Sequence, residues 1–439
     1  MSDELIIIGG GLAGSEAAWQ AAKRGVKVCL YEMRPQKMTE AHASSNLGEL
    51  VCSNSLRSND PHSAPGILKK ELSIAGSLIM EAAVATIVPA GSALAVDRSL
   101  FAEYITRKLS EDPHITIIRE EVRTLPETIA VIATGPLTSQ SMTDALSGLI
   151  GEGYLYFYDA IAPIIDADSI DRNKVYAMSR YGKGGDDYIN CPMSKEEYEQ
   201  FYQQIVDSEK VNPKGFEEAK VFEGCMPIEV MASRGVDTMR YGPMKPVGLP
   251  DPKTGKDPYA VVQLRTENRE TTAYNMVGFQ TRLTWPEQKR VFSMIPGLEY
   301  ADFLRYGSIH RNTFINAPAL LNKDLSFKQR SHLFLAGQIT GVEGYIESTA
   351  MGLIAGVNAA LRMQGKELPA VPPASAHGAL IRHITESESK HFQPSNINFG
   401  LFPVSEGLAR MRDKKLKRAR IAEQALEAWE KYISQVHAS

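Results

Sequence analysis

Three glycines, Gly9, Gly11 and Gly14, stand at GxGxxG spacing in the run IIIGGGLAG. That spacing suits a dinucleotide. The first glycine permits a tight turn, the second lets backbone approach a pyrophosphate, and the third lets a helix lie close on a strand with its N-terminus facing the negative charge. Glu32 follows Gly14 by eighteen residues, at the end of the next apolar run, where a carboxylate is placed to meet ribose hydroxyls. The other reactive groups are Cys29, Cys52, Cys191 and Cys225. None forms a CxxC, and no His or Cys stands beside them at zinc-like spacing, so neither a metal site nor a disulfide framework is expected. Cys29, in VCLYE, reads as strand core, and Cys191, in NCP, as structural. Cys52 falls in a polar loop after the second strand, where a cofactor neighbour could sit. Cys225 lies between Gly224 and Pro227 in EGCMPIE, an expected exposed turn with Glu223 and Glu229 nearby. On the residues alone, Cys52 and Cys225 stay open between small buried hydrophobe and nucleophile.

The surrounding pattern supplies the elements that position these groups. Leu5 to Ile8 is an unbroken apolar run, read as a buried parallel strand; Ser15 to Arg24 is helical in pattern and Gly25 ends it; Val26 to Tyr31 is a second strand. Together they make a βαβ unit. Residues 33–66 are rich in Ser, Asn, His and Pro and read as a long loop. Asp97 caps an expected helix to Leu109, and Thr128 to Thr134 is another buried strand. Two features favour FAD over NAD. One is the strand-ending ATG at Ala133 to Gly135. The other is the late strand–glycine loop LFLAGQITGVEGY, with a small-residue helix from about Ser348 to Leu361. Gly135, Gly337, Gln338 and Tyr345 are the expected cofactor contacts there, with Tyr345 on the flavin or folate side.

The fold class expected is α/β: a Rossmann-like FAD-binding domain of the two-dinucleotide type, split by an inserted α/β domain. Residues 1–150 and 301–439 form the first and 151–300 the second. The inserted stretch carries alternating aromatics at Tyr154, Tyr156 and Tyr158, a helical Lys195 to Ser208, and a Pro/Gly-rich segment from Pro243 to Pro258. A loop, ELPAVPPASA, precedes a charged C-terminal helix over about 405–435.

Composition narrows the class. A chain of 439 residues, 43% hydrophobic and 23% charged, has room for a large core and excludes a disordered or coiled-coil protein. The opening MSDELIIIGG has no basic n-region and enters a glycine loop, so it reads as a strand and not a signal peptide. No apolar stretch approaches the roughly 18 residues of a membrane span, which makes the cytoplasm the expected compartment. With a formal net charge of −4, nucleic-acid binding requires locally concentrated positive charge. RMRDKKLKRAR, Arg410 to Arg420, provides it with seven basic residues and one acidic. On a helix, Arg410, Lys414, Lys417 and Arg418 share a face suited to phosphate contacts; Ala419, Ala422, Leu426, Trp429 and Ile433 form an apolar stripe, with Ile421 out of place on the basic side.

The runs ELVCSNSLRS, FEGCMPIEVMASRG, GFQTRL, HRNTFINAP, AGQITGVEGYIES and FQPSNINFGLFP resemble, over nearly the whole chain, the folate- and FAD-dependent tRNA uracil-5-methyltransferases of the TrmFO family, similar in fold to the larger tRNA-modifying flavoprotein MnmG. The resemblance implies FAD as cofactor and methylenetetrahydrofolate with NADH or NADPH as co-substrates. The implied product is a methyl group on a T-loop uridine of tRNA. No metal and no membrane are implied. It further implies that Cys225 attacks uracil, since thiolate addition to carbon 6 makes carbon 5 nucleophilic, and that Cys52 is the second catalytic cysteine. His42 and His310 become candidates to stack on the folate pterin, and Arg282 to pair with a folate glutamate or RNA phosphate. The required general base is not chosen among Glu49, Glu343 and Glu347. The rivals are the same chemistry on ribosomal RNA, a small-molecule FAD oxidoreductase without RNA substrate, and a non-methylating RNA-binding flavoprotein.

Overall fold

The apolar runs around the glycine loop assemble into a five-stranded, wholly parallel sheet in the order Leu333–Leu335, Ala130–Ile132, Glu4–Ile8, Lys27–Tyr31, Ile115–Ile118. The computed structural model describes residues 4–39, 41–150, 154–183, 185–211, 226–268, 271–389, 392–403, 408 and 411–438. The strand Glu4–Ile8 is central because both its faces are covered; Leu5 and Ile7 are wholly buried. Two helices cross over one another beside it. The first, Leu12–Ala22, begins in the glycine loop, three residues before the predicted start. The second is the late helix Tyr345–Met363. Their close approach depends on small residues: a Cβ at Gly352 would lie 2.2 Å from the Ala13 carbonyl oxygen, and one at Gly356 2.5 Å from that of Ala17. This mixed α/β architecture with a parallel sheet is a Rossmann-like dinucleotide fold.

A second sheet has six antiparallel strands in the order Tyr176–Ala177, Tyr188–Met193, Ala260–Thr266, Ala273–Met276, Ile164–Asp166, Phe303–Arg305. It has its own core, which includes Cys191, Phe201, Leu264, Phe279 and Phe292. The antiparallel pair Tyr154–Ile161 and Ser308–Ile315 carries the chain in and out of this region.

Two expectations need correction. The polar stretch 33–66 is not all loop: Ser55–Ser58 is a strand paired with Ala93–Val96, and a helix begins at Ala64 behind its cap Ser63. The C-terminal helix, Lys414–Ala438, buries a different stripe from the one expected. Ile421, Ala425, Tyr432 and Val436 are buried with Ala422, Trp429 and Ile433, while Ala419 and Leu426 are only half-buried. A stack explains the turn. Trp429 lies on His377 at 4.0 Å and 9°, and its indole N–H donates to the Glu71 carbonyl at 2.7 Å. No helix among the described residues is long and apolar enough to cross a membrane.

Candidate functional site: a cofactor cleft at the end of the parallel sheet

The C-terminal ends of the parallel strands open into a cleft of about 1010 Å³, counting its mouth, the place where ligands bind in such sheets. Gly9, Gly11, Glu32, Gly135, Gly337, Gln338 and Tyr345 line it, with His42, Arg34, Glu49 and Thr134. Gly9 needs its freedom: φ is +104°, and a Cβ would lie 2.5 Å from the Ala133 carbonyl oxygen. Gly14 does not line the cleft but closes the turn, since a Cβ there would sit 1.8 Å from the Gly9 oxygen. Gly11 caps the Leu12–Ala22 helix without a side chain, and a Cβ on it would meet nothing within 4 Å. Open space in front of a helix N-terminus is a seat for phosphate oxygens. The residues present therefore fit a dinucleotide cofactor.

Glu32 is more heavily used than the expected ribose contact requires. Oε1 accepts the Arg34 amide at 3.0 Å and its Nε at 2.9 Å; Oε2 accepts the Gly10 amide at 2.9 Å and Arg34 Nη2 at 3.2 Å. The carboxylate's acceptor positions are thus taken by protein donors, and a ribose hydroxyl has to share one of its oxygens. Burial works to raise the Glu32 pKa, but the hydrogen bonds and charge of Arg34 outweigh it, so the net shift is downward and the group stays ionised. Arg34, 1% exposed, also bridges to Glu49 at 3.1 Å. Glu49 in turn takes the Ala43 and Ser44 amides at 2.8 and 3.1 Å, shaping the loop that carries His42. Burial first, and the charge of Arg34 second, depress His42 to about 4. It is a neutral ring facing the cleft, with Nδ1 2.6 Å from the Thr39 hydroxyl. Sequence reasoning passed over Arg34, although an arginine two residues after the strand-ending Glu32 was the available signal.

At the other rim the two loops named by the cysteine and late-glycine motifs meet. The Tyr345 hydroxyl accepts the Cys52 amide at 2.8 Å and the Ser53 amide at 3.0 Å. Burial raises the Tyr345 pKa, and the nearby Cys52 adds to the effect, so the phenol is neutral. Two arginines not singled out from the sequence stand beside this pair. Arg98 is paired with Glu267 at 2.9 Å and donates to the Leu50 carbonyl at 3.0 Å. Arg305 donates to the Ala41 carbonyl at 3.3 Å; its pKa is lowered by burial and then by the charge of Arg98. Across the late loop, Gln338 donates to Glu343 at 2.8 Å. Glu347 is wholly buried, paired with Arg57 at 2.9 Å and accepting the Ile397 amide at 3.0 Å; burial raises its pKa.

Other predicted site residues fall elsewhere. Arg282 is ion-paired to buried Glu229 at 3.3 Å and does not line the cleft. His310 is in the Ser308–Ile315 strand, opposite Asp159, with its side chain outside the described residues. Cys225 and Arg410 are also outside them. Lys414 and Arg418 are exposed and Lys417 half-buried at the start of the C-terminal helix, with the Arg418 guanidinium 5.2 Å from the Phe399 ring centroid. Cys29 is held protonated: burial and a 3.1 Å hydrogen bond to Glu4 push it up to about 11. Cys191 is fully buried, and burial raises it too. No group of three or more His, Cys, Asp or Glu placed to hold a metal ion occurs among the described residues.

Comparison with known proteins places this geometry. The family model described as Glucose inhibited division protein A matches residues 4–367. A Citrifermentans bemidjiense protein named methylenetetrahydrofolate–tRNA-(uracil-5-)-methyltransferase TrmFO is 59% identical over 438 residues, covering 99% of this chain and all of that one. Proteins of the same name from Desulfotalea psychrophila and Moorella thermoacetica are 58% and 57% identical over 430 residues, covering 97% and 98% of each chain, respectively. Among solved structures, Aquifex aeolicus GidA in its form II crystal covers 99% of this chain and 75% of its own, with a TM-score of 0.69 and 18% identity, a likeness of fold.

Proposed function

We propose, from the premise that this chain belongs to the TrmFO family within the group described as Glucose inhibited division protein A, that it is a methylenetetrahydrofolate- and FAD-dependent methyltransferase. Its product is 5-methyluridine in the T-loop of tRNA, its reductant is NADH or NADPH, and its compartment is the cytoplasm. The observation that carries the reading is the union of the Cys52 loop with the late glycine loop through Tyr345 at the rim of the dinucleotide cleft.

FAD held there supplies hydride chemistry to the transferred one-carbon unit. The chain's own residues do the rest. Gly9, Gly11 and Gly14 leave room for the pyrophosphate before the Leu12–Ala22 helix. Gly135, Gly337, Gln338 and Tyr345, which line the cleft, would hold the flavin end of the cofactor. The neutral His42 ring offers a flat face to a pterin, with His310 its partner candidate. Cys225 adds to carbon 6 of uracil as thiolate, and carbon 5 becomes the nucleophile. Cys52 is a second cysteine at the flavin rim. Glu49 is engaged by Arg34 and two amides, and Glu347 by Arg57 and Ile397, so either must give up a partner to take the carbon-5 proton. We read residues 151–300 as the inserted domain that carries Cys225, supported by the separate antiparallel sheet and core of that region. Lys414, Lys417 and Arg418, with Arg410, are the phosphate contacts for the T-arm.

The test uses FAD-loaded protein, unmodified tRNA transcript, methylenetetrahydrofolate and NADH or NADPH, assayed for 5-methyluridine. Cys225→Ala keeps the yellow cofactor and loses methylation; full activity in that variant removes the nucleophile assignment.

A further inference from the structure

An aromatic column rises from the core of the antiparallel sheet to the surface. Phe279 meets Phe292 edge-on at 5.7 Å, and Phe292 meets Phe303 at 6.4 Å. Above them Phe303 stacks on Tyr306 at 5.2 Å and 14°, and Tyr306 on Trp285 at 5.7 Å and 17°. Trp285 is 63% exposed, so the column ends in a flat ring open to solvent. One turn along the helix that Trp285 opens, Gln288 is wholly buried. Its Nε2 donates to the Leu283 and Gly307 carbonyls at 2.7 and 2.9 Å, and its Oε1 accepts the Gly307 amide at 2.7 Å. That closed set of bonds ties the start of the Trp285–Phe292 helix to the loop bearing Tyr306. The indole is nearly parallel to Tyr306, and Tyr306 to Phe303, so a stacked aromatic face is in place before anything binds.

The surroundings say what would cover it. The residues that follow Cys225 are fastened to the segment leading into Trp285. The Ile228 amide donates to the Gln280 carbonyl at 2.8 Å, and the Glu229 carboxylate accepts the Thr281 hydroxyl at 2.9 Å and the Arg282 amide at 3.1 Å. On the other side Tyr306 follows Arg305, which reaches the loop of His42 through Ala41 and has no carboxylate at ion-pair distance among the described residues. Trp285 thus follows, by a few residues, the segment bonded to Ile228 and Glu229, while its stacking partner Tyr306 follows Arg305, which reaches the Ala41 loop. Arg282 and Arg305 therefore lie close in the chain to the two rings of the platform. We propose that Trp285 is a stacking platform for an unpaired nucleobase of the RNA substrate, next to the target uridine, with Arg282 and Arg305 flanking its phosphates. The proposal rests on the RNA-modifying reading above. Single-stranded loops are recognised by stacking splayed bases on aromatic rings backed by basic groups, and this column has that form.

Tryptophan fluorescence tests it directly. The chain has three tryptophans. Trp19 donates its indole N–H to the Gly76 carbonyl at 3.1 Å and is half-buried, and Trp429 is fully buried, so solvent-facing emission reports Trp285. In the FAD-loaded protein, unmodified tRNA transcript quenches that emission. Trp285→Phe abolishes the quench and keeps most of the affinity. Trp285→Ala weakens transcript binding about 5- to 150-fold without changing the salt slope, because stacking releases no counterions. FAD content and methylenetetrahydrofolate affinity stay as in the wild type. Undiminished transcript binding by Trp285→Ala overturns the proposal. So does a loss confined to folate affinity, which makes the platform a folate site, or a loss confined to self-association, which makes it a contact between copies. Failure of the wild type to bind transcript overturns the RNA reading itself.

Discussion

The Tyr345 hydroxyl accepts the Cys52 amide at 2.8 Å across 293 residues of chain. A single phenol thus joins the loop of one motif cysteine to the N-terminus of the late helix. Because Ser53 uses the same oxygen at 3.0 Å, removing it strands two partly buried amides.

Tyr345→Phe is expected to keep the ring packing and lose both bonds. The cost is about 1–2 kcal/mol, at the lower end for unsatisfied groups because the site is only partly buried. Denaturant unfolding of the FAD-loaded protein measures it, and alkylation of Cys52 by iodoacetamide should be faster in the variant as the loop loosens. Wild-type values in both measurements would mean that water or neighbouring groups replace the phenol.

Gly11 and Gly14 should respond oppositely to alanine. At Gly14 the methyl collides with the Gly9 oxygen at 1.8 Å, so Gly14→Ala disrupts the turn and soluble yield falls. At Gly11 the methyl enters open space, so Gly11→Ala folds with near-wild-type stability but binds FAD at least about tenfold more weakly, since the methyl occupies the pyrophosphate approach. Unchanged FAD affinity in folded Gly11→Ala would move the pyrophosphate away from this loop.

His42 sets a pH dependence. Its folded pKa, about 4, lies below the ordinary 6.5. The unfolded chain therefore binds the proton first as pH falls, and stability is lost progressively between pH 6.5 and 4. His42→Asn removes that contribution, so the stability difference between wild type and variant should shrink as pH drops through this window. A difference independent of pH would show that the imidazole titrates normally in the folded protein.

How legible these features were depended on how local their causes are. The glycine turn, the Glu32 strand end and the late glycine loop are short-range patterns, and the sequence shows them plainly. The Ser55–Ser58 strand was hidden because serines and Arg57 carry no apolar alternation; its pairing is set by Ala93–Val96, far along the chain. The helix Ala376–Glu386 sat behind a proline run that reads as loop, although its cap Ser375, accepting the Gly378 amide at 2.9 Å, was a local signal. The buried face of the C-terminal helix is decided by what it meets, His377 and Glu71 on two other helices, which no helical wheel contains. Arg98 and Arg305 were missed for the same reason, since their partners Glu267 and Ala41 are distant in the chain, whereas Arg34 was overlooked although its partner Glu32 is two residues away.

The source of the methyl carbon tests the account most directly. FAD-loaded protein is incubated with unmodified tRNA transcript, NADH or NADPH, and methylenetetrahydrofolate carrying ¹³C in its methylene group, and the nucleosides are read by mass spectrometry. The account predicts 5-methyluridine bearing the label in wild type and none in Cys225→Ala. Unlabelled 5-methyluridine that appears only with S-adenosylmethionine, or label in the Cys225→Ala product, would contradict it.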